Sequence, residues 1–287
     1  MVEMTPGEPQ SAADYDDRTT TAVKTVLIEI GQILGSFKGK FAIVGGAVPW
    51  LLLGNEVMPH VGTLDVDLGL DADALGDGEY ATLIEALQRH GYQQRRELRR
   101  FQLVRQVPTE DDGAPIDIIV DFLMPRDAGI VKNVPPLISD FAVQRADGVD
   151  LALRFYQLVA ISGPMPAGGM NRVEIAVCSI PALLAMKGHA IEGRYKQKDA
   201  YDIYYCIRNY PGGPEVLAEE CRPLLDHALA ARQATVSLPT SLIPLMASGR
   251  QVCAASSKKR TCLGTAARSN GSKTPLGRSM LGCGHLA

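Results

Sequence analysis

The amino-acid sequence predicts an α/β (α+β) protein, with a mixed sheet flanked by helices in its N-terminal part and a mostly helical C-terminal region. Three observations carry this reading. Short, almost wholly apolar runs such as FAIV (residues 41–44) and IDIIVDFLM (residues 116–124) have the length and β-branched content of buried strands. Segments with apolar residues at helical spacing are interleaved with them, the pattern of a layered α/β domain. Beyond residue 179 the strand-like runs give way to successive helical patterns.

Taken in order, residues 1–18 are acidic and polar and read as disordered. Residues 21–37 place Val23, Val26, Leu27, Ile30, Ile33 and Leu34 on one helical stripe. The strand FAIV then ends on Gly45 and Gly46, and a brief apolar helix follows with Pro49 in its first turn, where a missing N–H costs little. A loop leads to a second strand carrying Asp65 and Asp67. Residues 78–91 read as a helix stopped by Gly91. Residues 92–107 read as one or two strands with Arg95, Arg96, Arg99, Arg100 and Arg105 nearby, and TEDDGAP (residues 109–115) as a turn. The strand at 116–124 carries Asp117 and Asp121 on one face. After a loop, residues 138–163 show a mixed pattern, and GPMPAGGM (residues 163–170) a turn or hairpin. Residues 173–179 read as a strand. Helices are expected at 180–193, 198–210 and 215–232, the first two separated by the basic turn RYKQK. The expected organisation is a disordered 1–18, a core at 19–135, a helical closing region at 136–249 and a basic tail at 250–287.

Composition excludes several classes. With 46% apolar and 21% charged residues the 287-residue chain is ordinary for a globular protein. No apolar run reaches the ~18 residues of a membrane span, and the N-terminus lacks an apolar signal core, so no membrane association and a cytoplasmic location are expected. Six cysteines without CxxC or zinc-like Cys/His spacing imply neither a disulfide framework nor a zinc knuckle. Residues 250–287 hold seven Lys/Arg and no acid, leaving 22 Lys/Arg against all 32 Asp/Glu, a net of −10, in residues 1–249. The tail reads either as a basic arm for nucleic acid or as a disordered terminus, even the product of a shifted reading frame.

The chemistry concentrates in residues 41–70. Asp65 and Asp67 are two apart on a strand and project from the same face. Carboxylates held together repel unless a cation lies between them, and a hard oxygen-seeking ion such as Mg²⁺ suits them. Gly45 and Gly46 let backbone N–H groups approach an anion at a helix start. An anion cradle beside a carboxylate pair describes a metal–nucleotide site. A charge inside a strand as apolar as 116–124 is costly without a partner or a metal, so that strand holds the candidate third carboxylate; the alternative is an edge strand whose two aspartates are simply solvated. Asp121, at its far end, is preferred to Asp117. Lys187 lies in an apolar helix, with Arg194, Lys196 and Lys198 following and Lys198, Asp199 and Asp202 forming a K-D-x-x-D segment. Lys187 reads either as a point charge for a triphosphate or as a snorkelling surface lysine. Asp202 reads as structural, capping or pairing with Arg194. No P-loop and no GxGxxG occur, and the Asp71–Gly76 segment, with Thr82 at position twelve, is a poor calcium loop. His189 reads as a surface or core group rather than a base.

Gly45-Gly46 followed by Asp65 and Asp67 resembles the nucleotidyltransferase superfamily with the polymerase-beta-like fold. The form GGA with T-x-D-V-D, together with Lys187 and the K-D-x-x-D segment, is similar to its AbiEii-type branch of toxins from abortive-infection and toxin–antitoxin systems, over roughly residues 41–210. The resemblance implies transfer of a nucleoside monophosphate from an NTP to an acceptor hydroxyl on tRNA or protein, with two Mg²⁺ ions held by Asp65, Asp67 and Asp121. It implies phosphate contacts from Gly45, Gly46 and Lys187, support of the nucleotide site by Asp199, and an antitoxin protein as partner. A non-catalytic nucleotide- or antitoxin-binding protein of the same fold is the alternative.

Overall fold

The computed structural model describes residues 17–54, 58–76, 78–109, 113–128, 142–194 and 196–225. All of them fall within one compact unit, Met1–Ser241; a second unit, Leu242–Ala287, lies outside the described residues, as do most of the 127–136 loop, the basic tail and residues 1–16 of the expected disordered start, whose last two residues, Asp17 and Arg18, instead begin the first helix.

The centre of the fold is a seven-stranded mixed sheet in the order β3-β4-β2-β1-β7-β6, with β5 paired to the end of β4. The chain enters through α1 (Asp17–Ile33), which starts and ends about four residues before the predicted helix, a short 3-10 turn covering Gly35–Phe37. Then come β1 (Phe41–Val44), α2 (Ala47–Leu52), β2 (Asp65–Leu70), α3 (Glu79–Arg89), β3 (Gln102–Val107) and β4 (Ile116–Pro125). The mixed region resolves into β5 (Gln144–Ala146), α4 (Val149–Arg154) and β6 (Tyr156–Pro164). β6 forms a hairpin with β7 (Met170–Cys178), and three helices follow: α5 (Ile180–Gly193), α6 (Gln197–Asn209) and α7 (Gly213–Leu225). α7 covers the first part of the helix expected at 215–232, whose remainder lies outside the described residues.

The fold class is as the sequence predicts, but the expected division at residues 135/136 is not a break in the fold. β7 pairs in parallel with β1, and β5 in parallel with β4, so strands from the second half complete the sheet of the first. Before Ile180 the second half mixes β5, α4, β6 and β7, and from Ile180 onward its described elements are all helices.

Strand alternation decides which residues face which layer. Val66, Leu68 and Leu70 of β2 are fully buried and lie on one face with Val120 and Phe122 of β4. This face is covered by α1, whose Gly31 lies so close to β7 that a Cβ there would come within 2.7 Å of Val173 and Ile175. An ion pair between Glu29 of α1 and Arg105 of β3, 2.7 Å apart, fastens that layer. Asp65, Asp67 and Gly69 take the other face, where Gly69 lies under Val149 of α4. α2, α4 and α5 gather on that side. Ser179 starts α5 by accepting a hydrogen bond from the Ala182 N–H at 3.3 Å, with Pro181 in the first turn. The acids and the apolar α5 therefore meet above one sheet face.

Candidate functional site

β2 and β4 run parallel and side by side, and their register sets Asp67 opposite Asp121 and Asp65 opposite Ile119. The three half-buried carboxylates predicted from the sequence therefore project from one face. Asp117 lies at the start of β4 and forms a bidentate ion pair with Arg95, which accounts for it structurally. Arg95 and Arg105 are thus each committed to a carboxylate and do not form a free basic patch.

Each acid is held differently. Asp65 Oδ1 accepts from the Thr63 hydroxyl at 2.6 Å, and Asp121 Oδ1 from Gln102 Nε2 at 2.8 Å. Asp67 sits against the backbone of Gly45, which has φ +70° in the left-handed region; a Cβ there would overlap Asp67 Oδ2. Gly46 has an ordinary helical φ, and a Cβ on it would lie 2.7 Å from the Thr63 hydroxyl. The glycine pair is thus required first by the close approach of the acidic strand and its preceding loop. Burial, then the charges of Asp65 and Asp121, push the Asp67 carboxyl well above the usual carboxylate range. Burial and the Asp65 charge raise Asp121 to about 6.

A cleft of about 310 Å³ opens over this face. Gly45, Asp67 and Asp121 line one side; Lys187, His189 and Arg194 of α5 and its C-cap line another, with Arg126 and Arg145 near the end of β4. Gly46, Asp65 and Asp199 are not part of the lining. His189, expected to be a surface or core group, is a wall of the cleft.

The K-D-x-x-D segment forms a buried ionic cluster behind that wall. Lys187, only 8% exposed, places Nζ 2.6 Å from Asp199 Oδ1 and 2.9 Å from Asp202 Oδ2. Arg194 bonds the other oxygen of Asp199 at 3.1 Å, so Arg194 pairs with Asp199 and not with Asp202. Asp202 is completely buried, ion-paired to Lys198 as well, and accepts from His60 Nε2 at 3.0 Å. Burial opposes the charges on Asp202 and Lys187, but mutual attraction outweighs it: Asp202 is held below the carboxylate range and Lys187 above the usual lysine range. Asp199 is therefore a buried partner of Lys187 outside the cleft lining, and much of the Lys187 charge is balanced internally. Sequence reasoning missed His60, Arg126 and Arg145; a histidine inside the short apolar stretch MPHV was the one available sign of the first.

Among the described residues no group of three or more His, Cys, Asp and Glu side chains forms a ready-made metal cage. The donor set nonetheless fits Mg²⁺, which is commonly held by one or two carboxylates together with substrate phosphates. Asp67 makes no side-chain hydrogen bond to a described residue, and its raised affinity for a proton marks a position where a cation is favourable. No described helix is long and apolar enough to cross a membrane. No known protein-family profile matches the chain, and neither does any curated protein.

Proposed function

We propose that the chain is a Mg²⁺-dependent nucleotidyltransferase that moves a nucleoside monophosphate from an NTP to an acceptor hydroxyl and releases pyrophosphate. The observation that carries the reading is the in-register pair Asp67 and Asp121, with Asp65 on the same strand face, lining a cleft that Lys187 and Arg194 also line. Asp65, Asp67 and Asp121 would hold the metal. When bound, Mg²⁺ stabilises the charge on the phosphoryl oxygens and lowers the pKa of the attacking hydroxyl. Arg194 and Lys187, across the cleft from these acids, neutralise charge that develops toward the leaving pyrophosphate. Asp121 Oδ2, the oxygen that Gln102 does not engage, would be its contact to the ion beside the attacking hydroxyl. By the resemblance of its motifs, the protein is the toxin of a toxin–antitoxin or abortive-infection pair, with tRNA or a protein as acceptor and an antitoxin protein as partner.

A binding-only role has one observation in its favour: the charge of Lys187 is already divided between Asp199 and Asp202. Both readings are tested by incubating the protein with each labelled NTP, Mg²⁺ and total tRNA or cell extract, beside Asp67→Ala. Transfer by the wild type and its loss in the variant support the enzyme. Nucleotide binding without transfer in either protein supports the binding role.

A further inference from the structure

We propose that His60 is a positioning residue of this site: a neutral imidazole, protonated at Nε2, that anchors Asp202 so that one carboxylate holds Lys187 and Lys198 beside the acids of β2. The inference rests on the reading of the site as a nucleotidyl-transfer centre, although its structural part can be tested alone.

The protonation state follows from the hydrogen bonds. The Gly62 backbone N–H, which can only donate, points at His60 Nδ1 from 3.1 Å. Nδ1 is therefore an acceptor and carries no hydrogen. The hydrogen of the neutral ring lies on Nε2, which donates to Asp202 Oδ1 at 3.0 Å. Burial and the neighbouring Lys198 disfavour a charged ring, although Asp202 pulls the other way. His60 thus adds a donor to Asp202 without adding positive charge to a cluster that already contains Lys187, Lys198 and Arg194.

Geometry links this anchor to the acids. The His60 ring packs against Tyr201 and Tyr205 of α6, with centroids 5.2 and 4.8 Å away. Tyr201 Oη accepts from the Val61 N–H at 3.2 Å, and Tyr205 Oη donates to the Leu53 carbonyl at 3.1 Å. One face of α6 therefore grips both ends of the connection between α2 and β2. A few residues on, Thr63 donates to Asp65. Lys198 Nζ in turn lies 3.6 Å from where a Cβ on Gly46 would sit. His60 and Asp202 do not line the cleft, so their influence passes through the lysines and this connection. Outer partners of metal-ligating side chains commonly alter affinity or activity by about 10- to 100-fold when removed, and His60, which acts through the loop that carries the Thr63–Asp65 contact, is expected at the low end of that range.

The test compares full-length wild type, His60→Leu and His60→Gln, the last retaining a donor toward Asp202. Nitrogen NMR of the wild type without nucleotide should show a neutral Nε2–H tautomer at neutral pH and exchange-protected ammonium signals from buried lysine. Those ammonium signals should be lost in His60→Leu and kept in His60→Gln. The kcat/KM for the NTP should fall about 10-fold in His60→Leu and recover in His60→Gln. An Nδ1–H or charged imidazole in the wild type overturns the proposal even if His60→Leu fails to fold. Unchanged ammonium signals in a folded His60→Leu overturn it as well. Absence of transfer in the wild type would instead count against the nucleotidyltransferase reading, while the NMR result still decides the role of His60.

Discussion

Asp67 of β2 and Asp121 of β4 stand in register on neighbouring parallel strands, and neither forms a salt bridge with a described residue. Parallel strands lie about 4.8 Å apart, so the pair is an electrostatic cost to the fold that a bound cation removes. Asp67→Asn should therefore lower label transfer at least ~100-fold, in line with losing one principal electrostatic contact to a transition state. It should not lower stability. Two unit charges about 4 Å apart repel by about 1 kcal/mol in a water-like dielectric, so the variant's Tm should stay level or rise by ~2–4 °C. Thermal unfolding beside a transfer assay reads both, and a clear fall in Tm would count against the repulsion.

The same pair gives the metal-free protein a pH dependence of definite sign. Asp121 titrates near 6, and Asp67 is also raised, whereas an unfolded aspartate titrates near 3.9. Between those values the folded state holds more protons than the unfolded state, so stability falls as pH rises. In EDTA the Tm should therefore drop between about pH 4 and pH 6–7, and Asp121→Asn should flatten that slope. Mg²⁺ should raise the Tm more at pH 7.5 than at pH 5, because it binds the ionised acids. Equal Mg²⁺ shifts at the two pH values would disconnect these acids from metal binding.

How much of this was legible in the sequence depended on range. The strand FAIV, the GG turn and the Asp65/Asp67 alternation are local, and each emerged where expected. What separates Asp121 from Asp117 in the structure is not contained in the local sequence: β4 pairs with β2 in the register that sets Asp121 against Asp67, while Arg95 claims Asp117. β6 was hidden because its periodicity is blurred. Tyr156 and Leu158 are large apolar residues that point to solvent, so inside and outside positions look alike. Arg126 and Arg145 were missed because they are separated from Lys187 by dozens of residues and converge only when β5 pairs with β4. His60 and Asp202, 142 positions apart, are a tertiary pair of the same kind.

Gly45 offers a test of why the glycine pair is there. Its φ of +70° disfavours any side chain, and a Cβ would also collide with Asp67. Gly39 has a similar φ, +83°, but open space around it. Both Gly→Ala changes should lose about 1–2 kcal/mol for the left-handed backbone, read by urea unfolding. Only Gly45→Ala should also abolish transfer, because Asp67 must move. Equal activity in the two variants would mean that the Asp67 contact is incidental.

The buried cluster predicts an order of stabilities that separates its members. Asp202→Asn removes the carboxylate shared by Lys187, Lys198 and His60, at complete burial. Lys198 would then lose its ion pair with Asp202, and removing one partner from a buried pair costs ~3–5 kcal/mol. Lys187→Met is milder. Asp199 keeps Arg194, and Asp202 keeps Lys198 and His60, so each acid retains a cation, and the loss should be nearer the ~1.5–3 kcal/mol of a hydrogen bond to a charged group. Arg194→Ala removes a side chain that is about half exposed, so its pair with Asp199 is screened by water and should contribute ~0–1 kcal/mol. Urea denaturation should rank the three as Asp202, then Lys187, then Arg194. Activity should rank them differently, with Arg194→Ala losing transfer out of proportion to its stability, because it alone combines a cleft position with an exposed charge. If Lys187→Met proved the most destabilising, the charge at the centre of the cluster would be the lysine's rather than that of Asp202.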